Sequence, residues 1–146
     1  MKLSTRTRYG TRLMLELGRR YGLGPVFLSS IAGSEHISEK YLSQIILPLK
    51  ASGLVVAHRG AHGGYELSRM PSGITMDQIV CALEGELMLV DCFTDRESCA
   101  RVHECVTREL WQSVRQSMID SLKKVTLDDL VKKSKDNRSK ETFYNI

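Results

Sequence analysis

The stretch from residue 28 to residue 65 constrains the fold of this 146-residue chain more than any other. A short apolar segment ends near His36, and Ser38 then offers a hydroxyl that can cap the start of a second helix. Gly53 can end that helix, although Pro48 removes one N–H from its last turn. The apolar residues between them recur at helical spacing: Tyr41, Leu42, Ile45, Ile46 and Leu49. This pattern predicts two helices joined by a tight turn.

A small β-hairpin is predicted directly after the second helix. Residues 54–56 (Leu-Val-Val) and 65–67 (Tyr-Glu-Leu) read as two short strands, and the glycine-rich, cationic residues 58–64 lie between them. Helix-turn-helix patterns are common by chance, but a hairpin that follows at once makes chance a poor explanation. The expected fold class is therefore mainly α with a small β-wing, a winged helix-turn-helix.

The second helix turns a polar face away from its apolar stripe. Side chains on this face are short or end in an amide or an amine, so they can reach base edges in a DNA groove, and the hairpin loop adds positive charge. The alternative is an ordinary α+β domain with a solvated loop. The candidate DNA-binding residues are Ser38, Lys40, Ser43 and Gln44 on the helix, and Arg59 and His62 in the loop.

The charge of the chain is unevenly distributed. Residues 1–70 contain ten Lys and Arg against four Asp and Glu, whereas residues 71–146 contain eleven against thirteen. The basic half coincides with the predicted helix-turn-helix, as phosphate binding requires. No segment resembles a signal peptide, and no apolar run approaches the ~20 residues that span a bilayer. We therefore expect a cytoplasmic protein without a membrane partner.

Helices are also predicted on both sides of this unit. Residues 4–21 place apolar side chains on one face every four residues from Tyr9. The N-terminal arginines of this helix can lie near DNA phosphates, and the alternative is that they are only solvated. After the hairpin, Thr75 and Gln78 form a capping box that begins another helix. Cys81 lies in the apolar run of that helix and is expected to be a buried small hydrophobe.

Three more cysteines, Cys92, Cys99 and Cys105, are spaced C-x6-C-x5-C. Zinc sites usually contain cysteine pairs with two to four intervening residues, and the sequence has no such pair. Spaced thiolates on a loop suit an iron–sulfur cluster. A thiol redox switch and cysteines without a role fit the spacing equally well. The acidic residues that flank these cysteines would raise the thiol pKa values, which argues against a simple reactive thiol.

The longest predicted helix covers residues 106–125. Its apolar stripe consists of Val106, Leu110, Val114, Met118, Leu122 and Val125, with Trp111 beside it. A stripe of this length outside the winged unit suits a long dimerisation helix, and packing against the chain's own domain is the alternative. The predicted organisation is a winged unit at 1–84, a cysteine-bearing loop at 85–105, the dimerisation helix and a short final helix at 106–133, and a loose tail at 134–146.

Several motifs together resemble one bacterial family of winged-helix transcription regulators, which includes the iron–sulfur regulator IscR, the nitric-oxide sensor NsrR and the cysteine-metabolism regulator CymR. The resemblance covers residues 1 to about 133. The three cysteines resemble the cluster-binding, IscR-like branch, and CymR-like members lack them. The motifs are MKLSTRTRYGTRLMLEL, ISEKYLSQIILPLKASGLV, RGAHGGY, ITMDQIV-ALEG, and the cysteine loop before a Trp-containing helix.

The resemblance implies a homodimer that binds a palindromic operator in double-stranded DNA, with Gln44 in the major groove and Arg59 at the wing. It also implies that Cys92, Cys99 and Cys105 hold an iron–sulfur cluster whose state alters DNA binding. A 2Fe–2S cluster is preferred, and a 4Fe–4S cluster stays open.

Three positions depart from the family pattern. Arg108 stands where IscR-like proteins have a His ligand, and Arg8 stands where NsrR-like proteins can use an acid. The fourth ligand is therefore open between the nearby His103, a thiol, water and a group from the partner subunit. Ser43 replaces an acid that helps IscR to discriminate between operator classes, so we expect a different operator choice.

The expected function is a transcription regulator that senses iron–sulfur status, and not an enzyme. One alternative is a cluster-free regulator that responds to thiol oxidation or to a partner enzyme, as CymR-like relatives do. A remote alternative is an enzyme that uses the cysteines with His103 or His58. The sequence contains no phosphate loop and no paired-carboxylate motif that would support catalysis.

Overall fold

The computed structural model describes residues 3–95, 97 and 99–144, and most of them are helical. Within these residues, no helix is both long and apolar enough to cross a membrane. The elements in chain order are α1 (Thr5–Arg19), α2 (Leu28–Glu35), α3 (Glu39–Ala51), β1 (Val55–His58), β2 (Gly64–Leu67), α4 (Met76–Glu84), α5 (Val106–Lys123) and α6 (Leu127–Tyr144).

The ends of α3 form as their local sequence predicts. The Ser38 hydroxyl accepts a hydrogen bond from the Tyr41 backbone N–H at 3.2 Å, which satisfies one orphan donor of the first turn. At the other end Gly53 has a φ of +74°, and the Leu54 N–H donates to the Leu49 carbonyl at 3.0 Å. These contacts stop α3 and lead the chain directly into β1.

The core surrounds α1, which packs against α3, α4 and α6. Each of these helices places apolar residues on the side that faces α1, so one shared core holds the helix-turn-helix in place. The side chains with the least exposure are Leu13, Met14, Leu17, Ile31, Leu42, Ile45, Ile46, Leu49, Leu54, Ile74, Ile79 and Leu127.

The wing is a two-stranded antiparallel sheet that also contacts the connection between α1 and α2. Its register runs from Val55 opposite Leu67 to His58 opposite Gly64. The backbones of Val26 and Tyr65 exchange two hydrogen bonds of 2.8 Å. Gly64 has a φ of +129°, and a side chain there would meet the Val26 carbonyl at 2.6 Å, so this close approach requires glycine.

The final helix is longer than the sequence predicts. We expected a short helix to residue 133 and a loose tail, but α6 continues to Tyr144; residues 145–146 of that tail lie outside the described residues. Residues 127–144 contain neither glycine nor proline, so no local signal ends the helix. Its first two turns are held by burial of Leu127 and Val131.

The start of α4 agrees with the sequence, but its cysteine does not. The Thr75 N–H donates to Gln78 Oε1 at 3.1 Å, as expected for the capping box. The prediction that Cys81 is buried is wrong, because its side chain is exposed. The buried face of α4 is formed by Met76, Ile79, Val80 and Leu83, and Cys81 points away from it.

Candidate functional site

The outward face of α3 carries the residues that we expected to contact DNA. Lys40, Ser43 and Gln44 are all exposed, as is Ser38 at the helix start. They are positioned because the opposite face of α3 is fixed in the core. An amphipathic helix held in this way can enter the major groove as a rigid unit.

The two serines of this face have hydroxyls that are already engaged. Ser38 caps the helix, and the Ser43 hydroxyl donates to the Lys40 carbonyl at 2.6 Å. Within the described chain, the side chains of Lys40 and Gln44 have no hydrogen-bond or ion-pair partner. An unpaired amine and an unpaired amide are therefore available for phosphate and base contacts on this face.

The wing presents a cation at its tip. His58 Nε2 lies 2.6 Å from Glu66 Oε1 across the two strands. Arg59 and His62 are exposed beyond this contact. Among residues 3–95, 97 and 99–144, the Arg59 guanidinium has no carboxylate partner, so it is free to bind an external anion such as a phosphate.

Three arginines at α1 form ion pairs within the chain. Arg12 Nε donates to Glu35 Oε2 at 2.8 Å, which ties α1 to α2. Arg19 and Arg20 each place a guanidinium nitrogen 2.8 Å from the carboxylate of the buried Glu16. These arginines therefore stabilise the fold, and of the arginines of α1 only Arg6 and Arg8 remain exposed without an ion pair in the described structure.

The pKa of Glu16 depends on two opposing effects, its burial and its contacts with Arg19 and Arg20. Burial alone opposes its ionisation, but hydrogen bonds from Arg19 and Arg20 outweigh that effect and hold the pKa of Glu16 below its usual value. Glu16 is therefore ionised at neutral pH.

The cysteine loop joins two parts of the fold. It follows α4, which packs on the winged unit, and it ends where α5 begins. Cys92 and Cys105 are half-buried and Cys99 is exposed, and none of them is in a disulfide. Cys105 occupies the N-cap position of α5, so any group that binds its sulfur acts directly on the start of that helix.

Cys105 is the thiol with a perturbed acidity. Its Sγ lies 3.1 Å from the Thr107 hydroxyl. The hydrogen bond from Thr107, followed by one from the Arg108 backbone, holds the pKa of the Cys105 thiol below its usual value. The expectation that acidic neighbours raise the thiol pKa values is therefore wrong for Cys105, because local hydrogen bonds decide it.

Arg108 connects the first half of the loop to the start of α5. Its guanidinium carbon lies 5.6 Å from the centre of the Phe93 ring, which directly follows Cys92. The Arg108 Nε atom is buried and has no hydrogen-bond partner. Arg108 and Cys105 line a cavity of about 250 Å³ together with His103, which places His103 beside one thiol.

The donor chemistry of this loop fits an iron–sulfur cluster. Three unpaired thiols lie on one segment, and Cys105 is biased towards the thiolate that binds iron. In the conformation described for residues 3–95, 97 and 99–144, no three His, Cys, Asp or Glu side chains are grouped closely enough to hold a metal ion. Binding by all three cysteines would therefore require the loop to close.

The long helix α5 exposes most of its apolar face. None of its residues is buried, and Val106, Leu110, Trp111 and Val114 are all exposed. The C-terminal half contacts α4 and contains the half-buried Met118 and Ile119. The exposed half of the stripe is a surface that a partner helix can cover.

A family model described as Rrf2, iron-dependent transcriptional regulator, matches residues 3–133. The chain belongs to the Rrf2 family. The HTH-type transcriptional regulator CymR of Bacillus subtilis is 39% identical over 144 residues, which cover 99% of each chain. Relatives of this kind are transcription regulators and not enzymes, so a DNA-binding regulator, and not a Cys/His enzyme, is the supported function class.

Solved structures of Rrf2 relatives share this fold. The structure of B. subtilis CymR, described as the global cysteine regulator of that organism, matches with a TM-score of 0.76 and 40% identity, over 90% of this chain and 97% of that one. An IscR from T. potens matches with a TM-score of 0.74 and 37% identity, over 92% and 88%. An oxidised form of Staphylococcus aureus CymR matches with a TM-score of 0.70 and 36% identity, over 90% and 96%.

Two features of this Rrf2 protein were missed by the sequence reasoning. Leu47 lies on the exposed polar face of α3, although leucine is usually assigned to a core. Its spacing of three residues from Gln44 and seven from Lys40 was the available signal. The contact between Arg108 and Phe93 had no such signal, because the two residues are fifteen positions apart in the sequence.

Proposed function

We propose that this Rrf2 protein is a homodimeric regulator that binds a palindromic operator, and that Cys92, Cys99 and Cys105 hold an iron–sulfur cluster whose presence changes operator binding. The observation that carries the proposal is the position of the three thiols. They occupy the segment between α4, which packs on the winged unit, and the partly uncovered helix α5.

DNA recognition would use α3 and the wing together. Gln44 and Lys40 offer unpaired polar groups for a base edge and a phosphate, and Arg59 suits a narrow, negative minor groove beside them. A twofold dimer presents two such units, and its recognition helices must match two half-sites separated by ~34 Å.

The exposed apolar stripe of α5 supports the dimer. A second copy of the same helix could cover it by twofold symmetry, in which each stripe meets the other. This arrangement would place the start of α5, and with it Cys105, next to the dimer contact.

When bound, an iron–sulfur cluster would supply one rigid link between its thiolate ligands and a response to redox state. The residues of this chain determine what such a link would do. Cys92 lies in the first half of the loop and Cys105 at its end, and Arg108 in the first turn of α5 already lies over Phe93, which follows Cys92. Closing the loop around Cys99 would shift α5 relative to α4, and thereby the spacing of the two recognition helices. Such a shift alters operator affinity only if one spacing fits the operator better.

A cluster-free regulator that responds to thiol oxidation is the second candidate. The specific observation in its favour is the lowered pKa of the half-exposed Cys105, which increases the reactive thiolate fraction. A relative of the same fold, Staphylococcus aureus CymR, has a solved structure described as an oxidised form.

Spectroscopy of protein purified without oxygen tests the two candidates. We expect ultraviolet–visible absorption typical of an iron–sulfur cluster, with stoichiometric iron and sulfide. Cys99→Ala should lose this absorption and remain a folded dimer. Cys81→Ala is the matched control, since it removes an exposed cysteine outside the loop and should keep the full spectrum.

The outcomes separate the proposals. A full chromophore in Cys99→Ala would remove Cys99 from the ligand set. A wild-type protein that stays colourless after reconstitution with iron and sulfide would contradict the cluster. If peroxide then altered operator affinity in a Cys105-dependent way, the thiol switch would be supported instead.

A further inference from the structure

Leu47 is an apolar side chain on the face of α3 that we assign to DNA. Its side chain is 60% exposed, whereas the leucines on either side of it at positions 42 and 49 are fully buried. It follows Gln44 by three residues and Ser43 by four, so the three side chains are neighbours on the helix surface. Leu47 therefore extends the polar recognition face by one turn.

The neighbours of Leu47 leave it prominent on this surface. The short Ser43 side chain bends back to the Lys40 carbonyl and so does not cover it. Pro48 follows directly and lacks the N–H that would bond to the Gln44 carbonyl, so it gives no polar contact on this turn. Gln44 and Leu47 are thus the two side chains that project from the middle of the face.

The chemistry of the major groove indicates what an aliphatic side chain can recognise there. Base edges present hydrogen-bond donors and acceptors, and the single apolar group among them is the C5-methyl of thymine. Gln44, one turn earlier, suits an adenine through a bidentate contact. A leucine beside this glutamine would pack on a thymine methyl close to the base pair that Gln44 reads.

We propose that Leu47 is a specificity-determining residue that packs against the C5-methyl of a thymine in each operator half-site. This inference rests on the proposed operator binding and adds the identity of one base. It also explains why an exposed leucine follows the polar residues of this face.

The test removes the methyl group from the DNA. Purified protein first selects an operator from a pool of randomised DNA duplexes. Each thymine of the selected half-site is then replaced, one position at a time and symmetrically, by deoxyuridine, which lacks only the C5-methyl. Affinities of wild-type protein and Leu47→Ala for each duplex are measured by fluorescence anisotropy at constant salt.

We expect one position at which deoxyuridine weakens wild-type binding. Loss of one buried methyl corresponds to about fourfold per half-site, or about fifteenfold for a symmetrical operator. Leu47→Ala should bind the thymine operator more weakly than wild type does. It should bind the thymine and the deoxyuridine operators with equal affinity. Leu23→Ala, an exposed leucine at 82% in the connection between α1 and α2, is the matched control and should keep the full discrimination.

Two results would overturn the inference while leaving operator binding intact. One is equal wild-type affinity for thymine and deoxyuridine at every position. The other is a thymine preference that persists in Leu47→Ala. Failure to enrich any sequence from the pool would instead contradict operator binding itself, and the inference with it.

Discussion

Replacing Leu110 by alanine should weaken the dimer if α5 is its interface. Leu110 is 55% exposed in the protomer and lies on the uncovered half of the apolar stripe. Burial of a whole leucine contributes about 1.5–3 kcal/mol, so covering the exposed half contributes about 1 kcal/mol. Two symmetrical copies double this to about 2 kcal/mol, which raises the dimer dissociation constant about 30-fold.

The chain provides its own probe for this measurement. Trp111 is the single tryptophan and is exposed beside Leu110, so its emission should shift to shorter wavelength when the stripe is covered. Dilution series followed by fluorescence and by sedimentation equilibrium give the dissociation constant of each variant. Leu23→Ala removes another exposed leucine, which lies in the connection between α1 and α2 and outside the stripe, and should leave the dissociation constant unchanged.

A dissociation constant of Leu110→Ala within twofold of wild type would refute the assignment of this face. So would a wild-type protein that is monomeric at concentrations where it binds its operator. A dimer whose Trp111 emission does not respond to dilution across its dissociation range would place the contact elsewhere on the molecule.

Three further predictions concern the wing and the buried ion pairs. Gly64→Ala should lower the free energy of unfolding by about 1–2 kcal/mol for its positive φ, and by a further ~1–3 kcal/mol because a methyl would meet backbone at 2.6 Å. Gly60→Ala, with a φ of +102° and open space, should show only the first loss in urea unfolding. Equal losses in the two variants would contradict the close approach at Gly64. Glu16→Gln should lower the free energy of unfolding by about 1–3 kcal/mol at pH 7. Because the pKa of Glu16 is lowered in the folded state, its contribution to stability is present above the unfolded pKa of about 4.3 and is lost as the pH falls through the folded pKa. The difference in unfolding free energy between variant and wild type should therefore disappear in acid. A difference that is independent of pH would rule out this reasoning. Arg59→Ala should weaken operator binding in anisotropy titrations and reduce the salt dependence of the affinity by about one phosphate contact per protomer. Lys123→Ala, which replaces an exposed lysine of α5, is the control. Unchanged affinity of Arg59→Ala would mean that the wing is not used.

Local signals in the sequence determined the elements of the winged unit. Ser38, Gly53 and the pair Thr75 and Gln78 each act within about four residues, so the ends of α3 and the start of α4 could be predicted without tertiary information. The candidate residues on α3 were chosen in the same way, because helical spacing alone separates the buried face of α3 from the exposed one.

Contacts between distant segments decided the rest. The exposure of Cys81 depends on which face of α4 meets α1, and the ion pair between Arg12 and Glu35 depends on how α1 packs beside α2. The position of Arg108 over Phe93 likewise arises only when the loop folds back on α5, whereas the contact between Cys105 and Thr107 is local to the start of α5.

The physical reason for this division is the range of the interactions. Caps, turns and helical stripes are encoded by neighbours along the chain, and the sequence by itself therefore determined the winged helix-turn-helix and the outward face of its recognition helix. Burial and the contacts between helices depend on groups that are adjacent only in space. Tertiary structure therefore decided that Glu16 is buried, that Arg12 pairs with Glu35, and which half of α5 remains uncovered.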